Sequence, residues 1–140
     1  MAVKNRPEIS LRYAQGEVFN CDKRFRVLVA GRRFGKSYLS CIELLRGAIN
    51  RPGEVYFYCA PTYRMAKDIA WKELKKLVPK VWVQSKNETD LRLELINGST
   101  IELKGTENAM ALRGRSLAGL YWMKQHLWIE MYGQRLLDLL

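Results

Sequence analysis

The sequence has no run of apolar residues approaching the ~20 that a membrane-spanning helix needs, and its basic start, "MAVKNRPEIS", is followed by no apolar signal core. A cytoplasmic protein without a membrane partner is expected. Cysteine is scarce and odd in number. Cys21, Cys41 and Cys59 share no metal-ligand spacing, so buried reduced thiols are expected rather than a disulfide framework or a zinc site. There is no internal repeat and no low-complexity linker, and 140 residues with 48% apolar content suit one globular domain or part of one. Acidic residues are also few. Lysine plus arginine number 24 against 14 aspartates and glutamates, a formal charge of +10 that favours polyanionic partners. In residues 121–140, Lys124 and Arg135 balance Glu130 and Asp138, so the whole excess lies before them.

What is present alternates between strand and helix patterns. "RFRVLVA" reads as a buried strand, "SYLSCIELLRGAIN" has apolar residues at helical spacing, and "GEVYFYCA" reads as a second strand introduced by "RPG". Strand, helix, strand implies a parallel crossover. "TYRMAKDIAWKELKKLV" then gives an amphipathic helix with Met65, Ile69, Trp71 or Lys72, and Leu74 as its apolar stripe. "LRLELI" and "TIELKG" form a hairpin about "NGS", where Asn97-Gly98 supplies the left-handed turn geometry.

Between the first strand and helix lies a phosphate-loop pattern: Ala30, then Gly31, Arg32, Arg33 and Phe34, then Gly35, Lys36 and Ser37. Only the first glycine of that pattern is replaced. The amides of residues 32–37 and the helix N-terminus suit phosphate oxygens, Lys36 suits the β and γ oxygens of ATP, and Ser37 suits magnesium.

Several further stretches extend the likeness. "YAQGEVF", "GRRFGKS", "YFYCAPTYRMAKDIAWKELKKLVP", "LRLELINGSTIELKG" and "ALRGRSLAGL" resemble, in order and spacing, the ATPase domain of the large terminase subunit of tailed bacteriophages over roughly residues 10–120. The resemblance implies an α/β P-loop NTPase fold of the RecA-like type with a mostly parallel sheet, incomplete in this chain. It also implies ATP-driven packaging of double-stranded DNA through a portal protein, alongside a small terminase subunit, by a ring of subunits, and a separate C-terminal nuclease domain that this chain is expected to lack. By the same resemblance Gln15 contacts adenine, the alternative being a solvated polar residue. Arg32 touches the γ-phosphate as charge develops, or else meets DNA or solvent. Thr62, in "APTY", couples nucleotide state to motion, with capping of the next helix as the simpler account. Arg113 matches an arginine that reaches a neighbouring subunit's ATP site, and Arg115 is its competitor.

After "LRGRSLAGL" the likeness stops. The family continues into an apolar strand ending in Asp-Glu, the acids that orient magnesium and polarise the attacking water, whereas this chain runs "YWMKQHLWIEMYGQRLLDLL". The genetic code offers a reason. Tyr121, Trp122, Met123 and Lys124 must be encoded as TAY TGG ATG AAR, and a start one nucleotide earlier reads NTA YTG GAT GAA. Those codons give Leu, Ile or Val, then Leu, Asp and Glu. The forced acids fall at positions 123 and 124, so residues 121–140 read as terminase DNA in a shifted frame. The alternative is a genuine amphipathic C-terminal helix with Leu127, Met131, Leu136 and Leu140 as its stripe. On the first reading residues 1–120 are a partial ATPase domain that binds ATP and magnesium but does not hydrolyse. A helicase-like ATPase and a non-enzymatic nucleotide- or DNA-binding prophage remnant are the other function classes.

Overall fold

The computed structural model describes residues 9–107, 118–124 and 127–132, with Arg32, Lys124 and 127–132 described through the backbone alone. A short helix α1 (Tyr13–Phe19) precedes strand β1 (Phe25–Val29), helix α2 (Lys36–Asn50) and strand β2 (Val55–Ala60). A longer rod, α3, follows. It is α-helical over Tyr63–Met65, π-helical over Ala66–Trp71 and α-helical again over Lys72–Leu77. Strands β3 (Val83–Asn87), β4 (Arg92–Leu95), β5 (Thr100–Gly105), β6 (Gly119–Lys124) and β7 (Leu127–Tyr132) complete the described strands.

The strands form one sheet in the order β1-β7-β6-β2-β5-β4-β3. β2 is flanked by β5 and β6, both parallel to it, and following the pairings outward shows that only β4 and β7 run against the other five. The sheet is therefore mostly parallel in strand direction. β1 and β2 run the same way, as the strand–helix–strand pattern requires, but β7 and β6 lie between them.

α2 and α3 cover one face. Leu44, Leu45 and Ala48 from α2 and Ala66, Ala70, Trp71, Leu74 and Leu77 from α3 bury against Tyr56, Tyr58, Ile101, Leu103 and Tyr121 of the sheet. Of the stripe expected from sequence, Trp71 and Leu74 are buried, whereas Met65 and Ile69 are each 42% exposed. A π turn holds more residues than an α turn, so the buried face moves one position, to Ala66 and Ala70. On the sheet's other face Phe57, Cys59 and Leu120 form a smaller cluster, and Phe25 and Val27 of β1 stay exposed.

Two polar devices fix the frame around β1 and α2. Glu43, fully buried on α2, pairs with Arg26 of β1 at 3.2 Å and Arg46 at 2.6 Å, while Arg26 also donates to the carbonyl oxygens of Val18 and Cys21. A buried carboxylate left alone would be costly, so these guanidiniums tie α1, β1 and α2 together. In the β4–β5 turn Gly98 has φ 85°, and the Asn97 and Ser99 side chains both donate to the Ala48 carbonyl at the end of α2. Cys41 and Cys59 are buried free thiols, whereas Cys21 is partly exposed, against the expectation that all three are buried.

Candidate nucleotide-binding site

β1 ends at Val29, and the chain passes through Ala30 and Gly31 into a 3-10 turn, Arg32–Phe34, before α2 opens at Lys36. Gly35 makes the corner at φ 85°, a left-handed conformation that a side chain disfavours. The turn is closed by the Phe34 amide donating to the Gly31 carbonyl.

α1 braces the loop from outside. Gln15, only 4% exposed, donates through Nε2 to the carbonyls of Phe34 (2.9 Å) and Gly35 (3.3 Å), and its Oε1 accepts from the Arg12 amide. The Arg12 guanidinium donates to the carbonyls of Arg33 (2.8 Å) and Phe34. Gln15 thus has both amide functions engaged within the protein, and an adenine contact would require it to exchange one of them. Arg33 presents its carbonyl to Arg12 while its side chain is exposed. Nothing in the sequence marked Arg12. Its role depends on α1 lying against the loop, a contact between segments more than twenty residues apart.

Lys36 faces inward. Its ammonium donates to the carbonyls of Ala30 (2.6 Å) and Gly31 (3.0 Å), leaving the residue 6% exposed, and burial lowers its pKa. The loop's own carbonyls therefore hold the cation in the position that phosphate oxygens would compete for. Ser37 lies one residue on, its hydroxyl 3.6 Å from the sulfur of Met123 on β6. The Tyr58 hydroxyl reaches the same sulfur at 3.4 Å, and burial raises the Tyr58 pKa. Gly35, Lys36, Ser37, Tyr38, Ile69, Glu73 and Met123 line one cleft of about 370 Å³, within the usual range for small-ligand pockets.

Ser37 is the hard oxygen donor expected for magnesium, but the neighbour at position 123 is a soft thioether, which magnesium does not select. Among the described residues, the one carboxylate lining this cleft is Glu73. Thr62 caps α3, accepting from the Met65 amide at 3.1 Å, which is the simpler of its two expected roles. Arg113 and Arg115 lie outside the described residues, as does the Arg32 side chain.

The sequence profile of the family described as "Terminase large subunit, T4likevirus-type, N-terminal" matches residues 27–122, from the middle of β1 to the residue before Met123. The chain belongs to the terminase large-subunit family. Among solved structures, the large terminase ATPase domain of a Thermus phage aligns with a TM-score of 0.68 at 22% sequence identity. That alignment covers 78% of this chain and 51% of the phage domain, so the terminase-family chain spans about half the length of the structure it matches. At that identity the likeness establishes the α/β P-loop-like fold. Comparison with curated proteins gives no match. Among the described residues no helix is long and apolar enough to cross a membrane.

Proposed function

We propose that this chain is the nucleotide-gripping part of a DNA-packaging terminase motor that holds ATP in the phosphate loop and does not hydrolyse it. The observation that carries this reading is the pairing of an intact loop, Gly31 to Ser37, with the Met123 sulfur beside the Ser37 hydroxyl. On binding, Lys36 exchanges the Ala30 and Gly31 carbonyls for phosphate oxygens, and the amides about Gly35 and the start of α2 receive the anion. Arg32 and Arg113 are the cations proposed to meet developing charge, Arg113 from a neighbouring subunit of a ring. Thr62 is proposed to relay nucleotide state along α3.

Position 123 is where the shifted codons require aspartate, and it adjoins the serine that such a carboxylate would assist. This proximity supports the frame-offset origin of residues 121–140, for it arises from side-chain geometry independent of the codon argument. Magnesium bound with ATP would supply charge neutralisation of the phosphates; the chain offers no acid at 123 and a lysine at 124. Within the motor the proposed partners are double-stranded DNA, the portal and the small subunit, in the cytoplasm of a bacterial host.

The test is a phosphate-release assay beside equilibrium nucleotide binding on the purified chain. ATP binding that Lys36→Ala weakens, with turnover no higher than that of Lys36→Ala itself, is the expected result. Equal binding by the two proteins refutes the grip, and robust turnover by the original chain refutes the missing-acid account. Sequencing the gene across codons 115–145 tests the frame offset directly.

A further inference from the structure

The cleft beside the loop carries two opposite charges that do not meet. Lys36 spends its ammonium on the Ala30 and Gly31 carbonyls, while Glu73, half-buried in the same lining, has no ion pair or hydrogen bond among the described residues. Four other acids of this basic chain are held by cations, and what sets Glu73 apart is its place in the lining of the cleft beside the loop. Glu43 pairs with Arg26 and Arg46, Glu102 with Arg92 and Lys104, Glu88 with Lys75 and Lys86, and Asp68 with Arg64 and Lys72. An unpaired carboxylate facing a phosphate loop is an electrostatic liability in itself. It would repel a triphosphate entering the cleft unless a cation lay between them.

The fold turns Glu73 there. The π turn Ala66–Trp71 buries Ala70 beside Trp71 in place of Ile69, and it leaves Ile69 and Glu73, four residues apart, along the cleft wall. The carboxylate lies close enough to α2 that, after burial, its charge is what raises the Cys41 thiol further, and Cys41 is one helical turn from Ser37. Across the cleft the Ser37 hydroxyl offers a second hard oxygen, and the sulfur of Met123 offers none.

Resting on the reading that this loop grips ATP, we infer that Glu73 supplies the protein carboxylate for the divalent cation that accompanies the nucleotide, in place of an acid at position 123. Glu73 and Ser37 would hold the cation, whose charge would offset the repulsion between Glu73 and the triphosphate. Glu73 thereby makes tight binding depend on metal.

The experiment is calorimetric titration of the full chain with ATP in Mg²⁺ and in EDTA, with Mn²⁺ electron paramagnetic resonance as a second readout of the bound metal. Wild type should bind ATP at least about tenfold more tightly with Mg²⁺, which is ~1.4 kcal/mol. In Glu73→Gln the metal dependence should fall below about twofold, and affinity in EDTA should hold or rise because the repelling charge is gone. Glu73→Asp should keep a metal dependence, and equal urea midpoints for the three proteins show that none is misfolded. A full tenfold metal dependence in Glu73→Gln overturns the inference and leaves the nucleotide grip standing. Absence of ATP binding by wild type in both conditions removes the grip, and the inference with it.

Discussion

Replacing Gly35 by alanine probes how α1 holds the phosphate loop. The added Cβ would sit 2.5 Å from Gln15 Nε2, at the flexible end of a side chain, so the clash is relieved if Gln15 withdraws. Withdrawal breaks the Nε2 bonds to the Phe34 and Gly35 carbonyls, at a net cost of about 1 kcal/mol for each. The left-handed backbone at φ 85° adds roughly 1–2 kcal/mol for any residue with a Cβ. Gly35→Ala should therefore destabilise by about 3–4 kcal/mol, large for a single substitution on a loop. Gln15→Ala should cost about 2 kcal/mol, since Arg12 continues to serve Phe34. In the double variant the alanine no longer displaces anything, so the two costs should fall short of additivity by about 2 kcal/mol. Urea unfolding of the four proteins measures this directly. Additive costs would mean that Gln15 does not brace Gly35, and a neutral Gly35→Ala would refute the loop geometry altogether.

Acid stability follows from Glu88, whose carboxyl is pulled down from its ordinary 4.5 to about 2, first by the Trp71 indole that donates to it and then by Lys75 and Lys86. A depressed carboxylate contributes stability that is present above the unfolded value and lost as pH falls from about 4.5 toward 2, so Glu88→Gln should flatten the urea midpoint across that window and an unchanged slope would contradict it. Duplex DNA binding should be tolerant of sequence and should weaken steeply between low and physiological salt, as the +10 charge and counterion release require; affinity indifferent to salt would rule this out.

Much of the fold was legible because local pattern and tertiary outcome agree. β1, α2, β2 and the β4–β5 hairpin fall within a residue or two of the periodic runs that announce them, and Gly98 takes its positive φ where Asn-Gly required one. β3 was missed. "VQSKN" is exposed beyond Val83 and becomes a strand only because β4 gives it an antiparallel edge. The π turn was equally silent, for Met65 and Ile69 fit an α-helical stripe as well as Ala66 and Ala70 fit the real one. At the site, the loop's residues were readable from spacing. The inward turn of Lys36, the brace from Arg12 and the approach of Met123 to Ser37 depend on packing between distant segments. Glu73 carried no motif, and only the cleft gives it a meaning.

The tail bears most directly on what repair of this chain would require. Leu127–Tyr132 is a strand, so the alternative of a helix with a stripe through Leu127 and Met131 does not hold over those residues. β7 pairs antiparallel with β6 through Lys124↔Leu127 to Gly119↔Tyr132, and with β1 through Val29↔Leu127 to Phe25↔Met131. Among the described strands β7 is β1's only neighbour in the sheet order, so β1 and the loop it carries join the sheet through backbone bonds that residues after the proposed frame offset provide. β6 and β7 are two residues apart in sequence and pair antiparallel, since a parallel return needs a crossover of a dozen residues or more. Met123→Asp with Lys124→Glu would leave the sequence of β7 as it is and place an acid at the cleft-lining position 123. Restoring the shifted reading after Leu120 would replace β7 as well, and the new sequence must then supply another neighbour for β1. ATP turnover should accordingly recover in the full-frame protein, in an assembled state with DNA, and recover less in the doubly substituted one. Equal recovery by the two in one phosphate-release assay would show that the acids at 123 and 124 suffice whichever strand lies beside β1.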